Sequence, residues 1–460
     1  MSSDSEVILD SRDRQKVPGP AWYKVPYRIW KIRANPLAEI QREISYYGGL
    51  ARLELASFNV YFIGHPDYIN HILVRNSQNY SRLTIDYLAM RQVLGRGLVT
   101  TEGAEWLWQR QMLQPEFHNE IINTLIVKMR TTAAAVLAGW KEEIAERATI
   151  DVSAKLSDLA LQIAANALFN VDSRTFPKEF SEAAVFVNRY ADENAVRIIK
   201  INPKVPTPRN QLFKKSLKIL DNVVYNIIED YRKKGNTQDL TSIMINSTNP
   251  QTGNQLSDLE IRDQVLTLLI TGHETSANGL TWTMYLLAKF PDIAAKVRGE
   301  VDSVIGSEEF SIHHIRKLVY TKRVIQESMR LYPPVWSVSR IAVAEDTIGP
   351  YKIPKNAYMY LSFYAVHHNP EFWEDPDQFE PDRFLPERVE RQHKNAYLPF
   401  GAGPHLCIGR EFAMMEMLVV LAHLLKSYEF NLSEHQTIIP EPLITLRPKL
   451  GVKMNFRERN

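Results

Sequence analysis

The stretch FGAGPHLCIG, Phe400 to Gly409, decides how this chain is read. Gly401, Gly403 and Pro404 punctuate it into a tight irregular loop that runs into a helix predicted to begin near Cys407. The loop presents one thiol. A thiolate at a helix N-terminus is stabilised by the helix dipole and by free backbone N–H groups, and a soft anionic sulfur suits iron. A lone cysteine is more often a small buried hydrophobe. Here the clustered glycines, which let backbone approach a flat group closely, favour a ligand instead.

Cys407 is the only cysteine among 460 residues, so no internal disulfide can form and a reducing compartment, the cytoplasm, is expected. With 45% hydrophobic and 23% charged residues the chain can bury a large core. A formal net charge of +2 and the lack of like-charge blocks argue against a nucleic-acid partner. Residues 1–16, with Asp4, Glu6, Asp10, Arg12, Asp13, Arg14 and Lys16, read as a polar tail without the apolar centre of a signal or anchor. No apolar run such as Met417 to Leu425 approaches the ~20 residues of a spanning helix, so a soluble monomer is expected, leaving room for peripheral membrane contact. No linker divides residues 17–460, which are read as one domain.

Val17 to Pro26, with Pro18, Gly19, Pro20 and Pro26, reads as an extended leading arm. Alternation between Leu50 and His65 predicts a hairpin, and Ile341 to Phe363 predicts a second β region with turns at Gly349-Pro350 and Pro354-Lys355-Asn356. Apolar residues at three-to-four spacing predict helices over 119–147, 151–170, 213–233 and 408–426. The fold class is therefore mainly α with a small β portion. The longest helix starts at a Ser257-Asp-Leu-Glu260 capping box, runs to Lys289 before Pro291, and spans roughly 50 Å. Its middle, Val265 to Thr271, is apolar on nearly all sides and should be buried.

Polar groups interrupt that helix at Thr271-Gly272-His273-Glu274-Thr275-Ser276. A threonine there can bond the carbonyl of the preceding turn and Glu274 can pair with a base. Alternatively Gly272 opens space while Glu274 and Thr275 route protons. Glu327 and Arg330 lie three apart on one helical face, and Arg383 follows within Phe379 to Phe384; such pairs are common on solvated helices. Trp106 and Arg110, four apart, point an indole N–H and a guanidinium the same way, and two such donors can hold a carboxylate.

Together these segments resemble the cytochrome P450 superfamily, from about Val17 to Lys449. The resemblance implies the fold of that family, with haem b between the long central helix and the cysteine-loop helix and with Cys407 as axial iron ligand. It implies haem-contacting roles for Phe400, Gly401, His405, Gly409, Trp106, Arg110 and Arg340. His405 stands where the family usually has Arg. Thr275, with Glu274, would serve proton delivery to dioxygen; Thr271 replaces the family's Ala or Gly and adds a second hydroxyl one turn away. His273 is assigned no role. Glu327, Arg330 and Arg383 would form a buried structural network. No flavin or iron–sulfur segment is present, so electrons should come from a separate ferredoxin- or flavodoxin-type donor docking near Arg388, Arg391, Lys394 and Arg410.

The implied reaction inserts one oxygen atom of O2 into a C–H or C=C bond of a small apolar substrate. The alternatives are a haem-thiolate isomerase, dehydratase or peroxygenase, against which Glu274 and Thr275 argue, and a haem-based binding or sensor protein. Segments implied to line the substrate site contain Tyr87, Leu88, Leu98, Leu268, Gly272, Val335, Trp336 and Ile444, whose apolar character points to lipid, terpenoid or steroid-like molecules. Trp336 is equally well read as core packing.

Overall fold

A computed structural model describes residues 15–55, 58–147, 149–177, 179–196, 204–234, 239–306 and 308–459. The chain divides into two compact units. One holds the residues up to Thr84 together with Trp336–Asp377 and Gln392–Leu406; the other holds Ile85–Val335, Gln378–Arg391 and the chain from Cys407 onward.

The first unit is built on a five-stranded sheet, in the order Leu50–Glu54, Asn59–Ile63, Tyr358–Ser362, Ser337–Ala342, Tyr80–Ser81. The predicted hairpin sets Leu50 opposite Ile63, and both are buried because this sheet face meets the helix Pro36–Tyr46 through Leu37, Ile40 and Ile44. The second predicted β region supplies two strands of the same sheet and a smaller hairpin, Asp346–Ile348 with Tyr351–Ile353, turning at Gly349 with φ +55°.

At the N-terminus Gln15 and Lys16, the last residues of the expected tail, pair in parallel with Tyr351 and Lys352; its other charged residues lie outside the described residues. One expectation there needs correction. The leading arm is extended only at its start, where the Pro18 carbonyl accepts from Arg52 N–H at 2.7 Å and Gly19 passes so close that a Cβ would lie 1.9 Å from the Arg52 carbonyl oxygen. Pro26 then stands in the first turn of the helix Val25–Ala34, where a missing N–H costs nothing.

The second unit is helical. Its axis is Asp258–Lys289, opened by the predicted capping box: Ser257 N–H donates to Glu260 Oε2 at 2.8 Å and Glu260 N–H to Ser257 Oγ at 3.3 Å. It packs against Val152–Phe169, Pro208–Lys234, Val319–Leu331 and Arg410–Ser427, which explains why a run apolar on all sides is tolerated. Against the expectation that no apolar run reaches that length, Asn119–Arg147 is long and apolar enough to cross a membrane by length and composition. Its stripe Ile122, Ile126, Met129, Ala133, Leu137, Trp140 and Ile144, at helical spacing, is nevertheless buried against Val152–Phe169 and Arg410–Ser427. The helix after the cysteine loop begins at Arg410, three residues beyond Cys407, because Gly409 serves as its N-cap.

Candidate functional site

In the second unit Cys407 is accessible to solvent, yet burial is the largest influence on its thiol and pushes it up. The backbone N–H of Gly409 and the charges of Arg110 and Arg410 act the other way without overcoming burial. The helix itself starts at Arg410 rather than near Cys407, so the support for the anion comes from the Gly409 N–H and the two guanidiniums.

Arg110 sits on Gly103–Leu113 with Trp106 one turn before it. Burial lowers the Arg110 guanidinium, and the Coulombic influence of Cys407 raises it. Arg110 Nε also donates to Gln114 Oε1 at 3.0 Å, which fixes its reach.

The loop before Cys407 belongs to the first unit. Gly403, with φ +73°, lies against Leu73, where a Cβ would fall 1.9 Å from the carbonyl oxygen, so only glycine can fill it. Gly401, also at φ +73°, faces open space. His405 closes a single 3-10 turn, Gly403–His405, and Phe400 is half-buried. Arg340 is buried on Ser337–Ala342, opposite Met359, with Nη1 donating to Ser339 O at 2.7 Å.

On the long helix, Val265 to Ile270 and Ser276 to Met284 are buried, whereas Thr271, Gly272, Glu274 and Thr275 are only partly covered. Between Ile261 and Met284 the helix is thus partly accessible only where these polar residues stand. Nothing meets a Cβ on Gly272 closer than Ala164 at 4.0 Å. Both hydroxyls bond the preceding turn, Thr271 Oγ1 to Thr267 O at 2.7 Å and Thr275 Oγ1 to Thr271 O at 2.8 Å. The structural threonines Thr281 and Thr283 do the same. What sets Thr271 and Thr275 apart is access, since a hydroxyl that donates backwards still offers lone pairs to the open side.

Glu274 is held by neutral donors rather than a base. Thr445 Oγ1 donates to Oε1 at 2.8 Å and Asn188 Nδ2 to Oε2 at 2.5 Å; Asn278 Nδ2 donates in turn to Thr445 Oγ1 at 3.1 Å. Asn188 and Thr445 carry no sequence signal, lying 86 and 171 residues from their partner. A further acid also escaped the sequence reading. Glu416 is fully buried on Arg410–Ser427, and burial pushes its carboxyl up to about 8, which the Ser276 hydroxyl only partly offsets. No hydrogen bond of good geometry joins the two, so its oxygens are unpartnered among the described residues. An acid inside the apolar run Phe412 to Leu425 was the available signal.

Glu327 accepts from Arg330 Nε at 2.7 Å and Nη2 at 2.8 Å, from Arg383 Nε at 3.2 Å and from Glu380 N–H at 3.0 Å. Arg330 Nη2 also donates to Gln378 O at 3.1 Å. Glu327 and Arg330 are wholly buried. A pair that on a solvated helix would contribute little has become a closed network.

Of the residues expected to line the substrate site, Leu268 and Gly272 share one face of the long helix, and Gln264 Oε1 accepts from Leu98 N–H at 3.1 Å, placing Leu98 beside it. Ile444 precedes Thr445 and so stands near Glu274. Tyr87 and Val335 are half-buried, while Leu88 is 46% exposed. Trp336, in the first unit, is buried with its ring 5.9 Å from Tyr360. Among the cations expected to receive an electron donor, Arg388 pairs with Glu380 and Arg410 with Glu411.

A haem fits these residues. Among the described residues no three His, Cys, Asp or Glu side chains cluster as around a bare metal ion. A metal at Cys407 would take one protein ligand and need the others from its cofactor, as a porphyrin supplies them. The family profile "Cytochrome P450" matches residues 17–456. The chain belongs to the cytochrome P450 family. This P450 is 32% identical over 403 residues to the "Cyclooctatin synthase" of Streptomyces melanosporofaciens, covering 87% of each chain. It is 31% identical over 397 residues to the "Cyclooctat-9-en-7-ol 5-monooxygenase" of the same organism, covering 86% of this chain and 84% of that protein. The crystal structure of the cytochrome P450DA heme domain superposes with a TM-score of 0.85 at 25% identity, over 97% of this chain and 98% of that one. The mainly helical fold with small sheets is thus that of a P450, and the chain is a haem-dependent monooxygenase by family.

Proposed function

We propose that this P450 oxidises a lipid-, terpenoid- or steroid-like molecule with electrons from a separate ferredoxin- or flavodoxin-type protein, and that residues 17–460 act as one catalytic domain holding haem b. The observation that carries the reading is an accessible Cys407 leading into a helix that packs on the long helix, whose polar stretch Thr271–Thr275 is itself partly accessible. Similarity to a protein named as a monooxygenase of cyclooctat-9-en-7-ol supports a substrate of this kind.

When bound, the haem supplies the activation of dioxygen. The protein's part is to hold and move protons and to exclude water. Cys407 would ligate the iron, with Gly409 N–H, Arg110 and Arg410 favouring its anion. Trp106, Arg110, Arg340 and His405 would hold the propionates, and Phe400, Gly401 and Gly409 would lie along the ring. Thr275, with Thr271 one turn earlier, offers hydroxyl oxygens on the accessible stretch, and Glu274 supplies the acid that exchanges protons with solvent. In the second unit Leu98, Leu268, Val335 and Ile444 would bind substrate by removing apolar surface from water, at about 25 cal/mol per Å².

A binding-shift screen of terpenes, steroids and fatty acids on the haem-loaded protein, followed by NADPH-driven turnover with a ferredoxin and its reductase, tests this. Expected are a spectral shift and an oxygenated product with an apolar compound. Shifts with small polar acids alone would refute the substrate class, and product formation from peroxide but never from NADPH and a carrier would refute the electron source. Replacing Cys407 by Ser should abolish the thiolate-type spectrum of the reduced carbon monoxide complex.

A further inference from the structure

The helix Val25–Ala34 and the turn before it carry four large rings that the fold leaves in solvent: Trp22 is 81% exposed, Tyr23 63%, Tyr27 55% and Trp30 64%. Their placement follows from helical spacing. Val25, Arg28, Ile29 and Ile32 turn inward, and Arg28 anchors that side through Glu43 at 3.1 Å, so Tyr27, Trp30 and Ala34 share the outward face. The outward rings are ordered against one another and against cations. Tyr27 and Trp30 stack with centroids 6.1 Å apart, Lys31 Nζ lies 5.1 Å from the Tyr27 ring centre and Lys24 Nζ 5.8 Å from that of Tyr23.

The charge of this segment is one-sided. Between Gln15 and Leu53 the acids are Glu39 and Glu43, both buried, the first engaged with Arg42 and the second with Arg28. Lys16, Lys24 and Arg33 are exposed and Lys31 partly so. The surface therefore consists of indole and phenol rings set among cations. Trp and Tyr favour the headgroup level of a bilayer, where an apolar body and a polar tip are both satisfied, and Lys or Arg beside them meets phosphate. A protein partner would have to offer a separate pocket to each ring, whereas a lipid surface accommodates all four at once.

We propose that this face docks on a membrane surface bearing anionic lipids, with Trp22, Tyr23, Tyr27 and Trp30 at headgroup depth and Lys24 and Lys31 on phosphates. Ten residues span about 15 Å, too short to cross, so the helix lies in the interface. The docking requires nothing of the haem site.

The test is co-sedimentation of the purified, haem-loaded full chain with vesicles of phosphatidylcholine mixed with phosphatidylglycerol, and with vesicles of phosphatidylcholine alone. The wild type should pellet with the mixed vesicles, less with the neutral ones, and less as salt rises. The double variants Trp22→Ser/Trp30→Ser and Lys24→Gln/Lys31→Gln should each bind roughly tenfold more weakly. An unchanged reduced carbon monoxide spectrum and circular dichroism would show that they fold. A wild type that stays in the supernatant with both vesicles overturns the proposal, as do double variants that bind like wild type. So does a Trp22→Ser/Trp30→Ser variant whose only change, in sedimentation velocity, is the loss of self-association or of binding to an acidic carrier protein.

Discussion

Asn188 Nδ2 donates to Glu274 Oε2 at 2.5 Å, so the helix Phe180–Val196 holds one side of the acid while Thr445 holds the other. The adjacent Arg189 reaches Glu441 at 3.2 Å, and Arg447 holds the same carboxylate at 3.0 Å, which ties that helix to the hairpin carrying Ile444 and Thr445. Asn188 is thus a positioning residue. Removing a hydrogen bond to a charged group costs about 1.5–3 kcal/mol, so Asn188→Ala should lower oxygenation about tenfold while haem content stays normal. Steady-state turnover against pH checks this: an Asn188→Ala enzyme with the wild-type rate and pH profile would show that the contact is structural only.

Thr275→Ala should leave haem bound and divert electrons to peroxide, because protons would no longer reach dioxygen in order. Both threonines make the same backward bond and both are accessible, so geometry does not rank them. Product formed per NADPH in Thr275→Ala and Thr271→Ala separates the two. A yield that survives the first and falls in the second would assign the role to Thr271.

Glu416→Gln should change how stability depends on pH. The Glu416 carboxyl is raised in the fold to about 8, so the native state binds a proton that the unfolded chain releases near its ordinary value of 4.5. Its contribution is fully present below about pH 4.5 and is lost as pH rises through about 8. Wild type and Glu416→Gln should therefore melt alike near pH 5, and the variant should melt several degrees higher near pH 8.5. Parallel melting curves across that range would show that Glu416 is not held neutral.

Glu327→Gln should prevent stable folding. It leaves Arg330 buried with its charge uncompensated, a loss of about 3–5 kcal/mol. Urea unfolding and haem retention measure it, and a variant with wild-type midpoint and full haem content would place the network outside the folding core.

The sequence alone determined the family and the helical order. A lone cysteine in a glycine-punctuated loop, a capping box at Ser257 and apolar residues at helical spacing are local signals that survive any packing, and the structure places the long helix and the hairpin where they predict. Only tertiary structure decided the energetics of those residues. Burial pushes the Cys407 thiol up where helix position alone predicted support for its anion, because desolvation depends on every neighbouring atom, not on the local turn. Likewise spacing alone makes Glu327 and Arg330 an ordinary pair three apart; the family resemblance pointed to a network with Arg383, and only packing set its distances and burial. Asn188 and Thr445 were silent as partners of Glu274 because a hydrogen bond between distant segments leaves no periodicity to read, whereas Glu416 showed only as an acid inside an apolar run. Spacing along a chain reports which residues share a helix face; which of those faces meet, and how far from water, is set when the chain closes on itself.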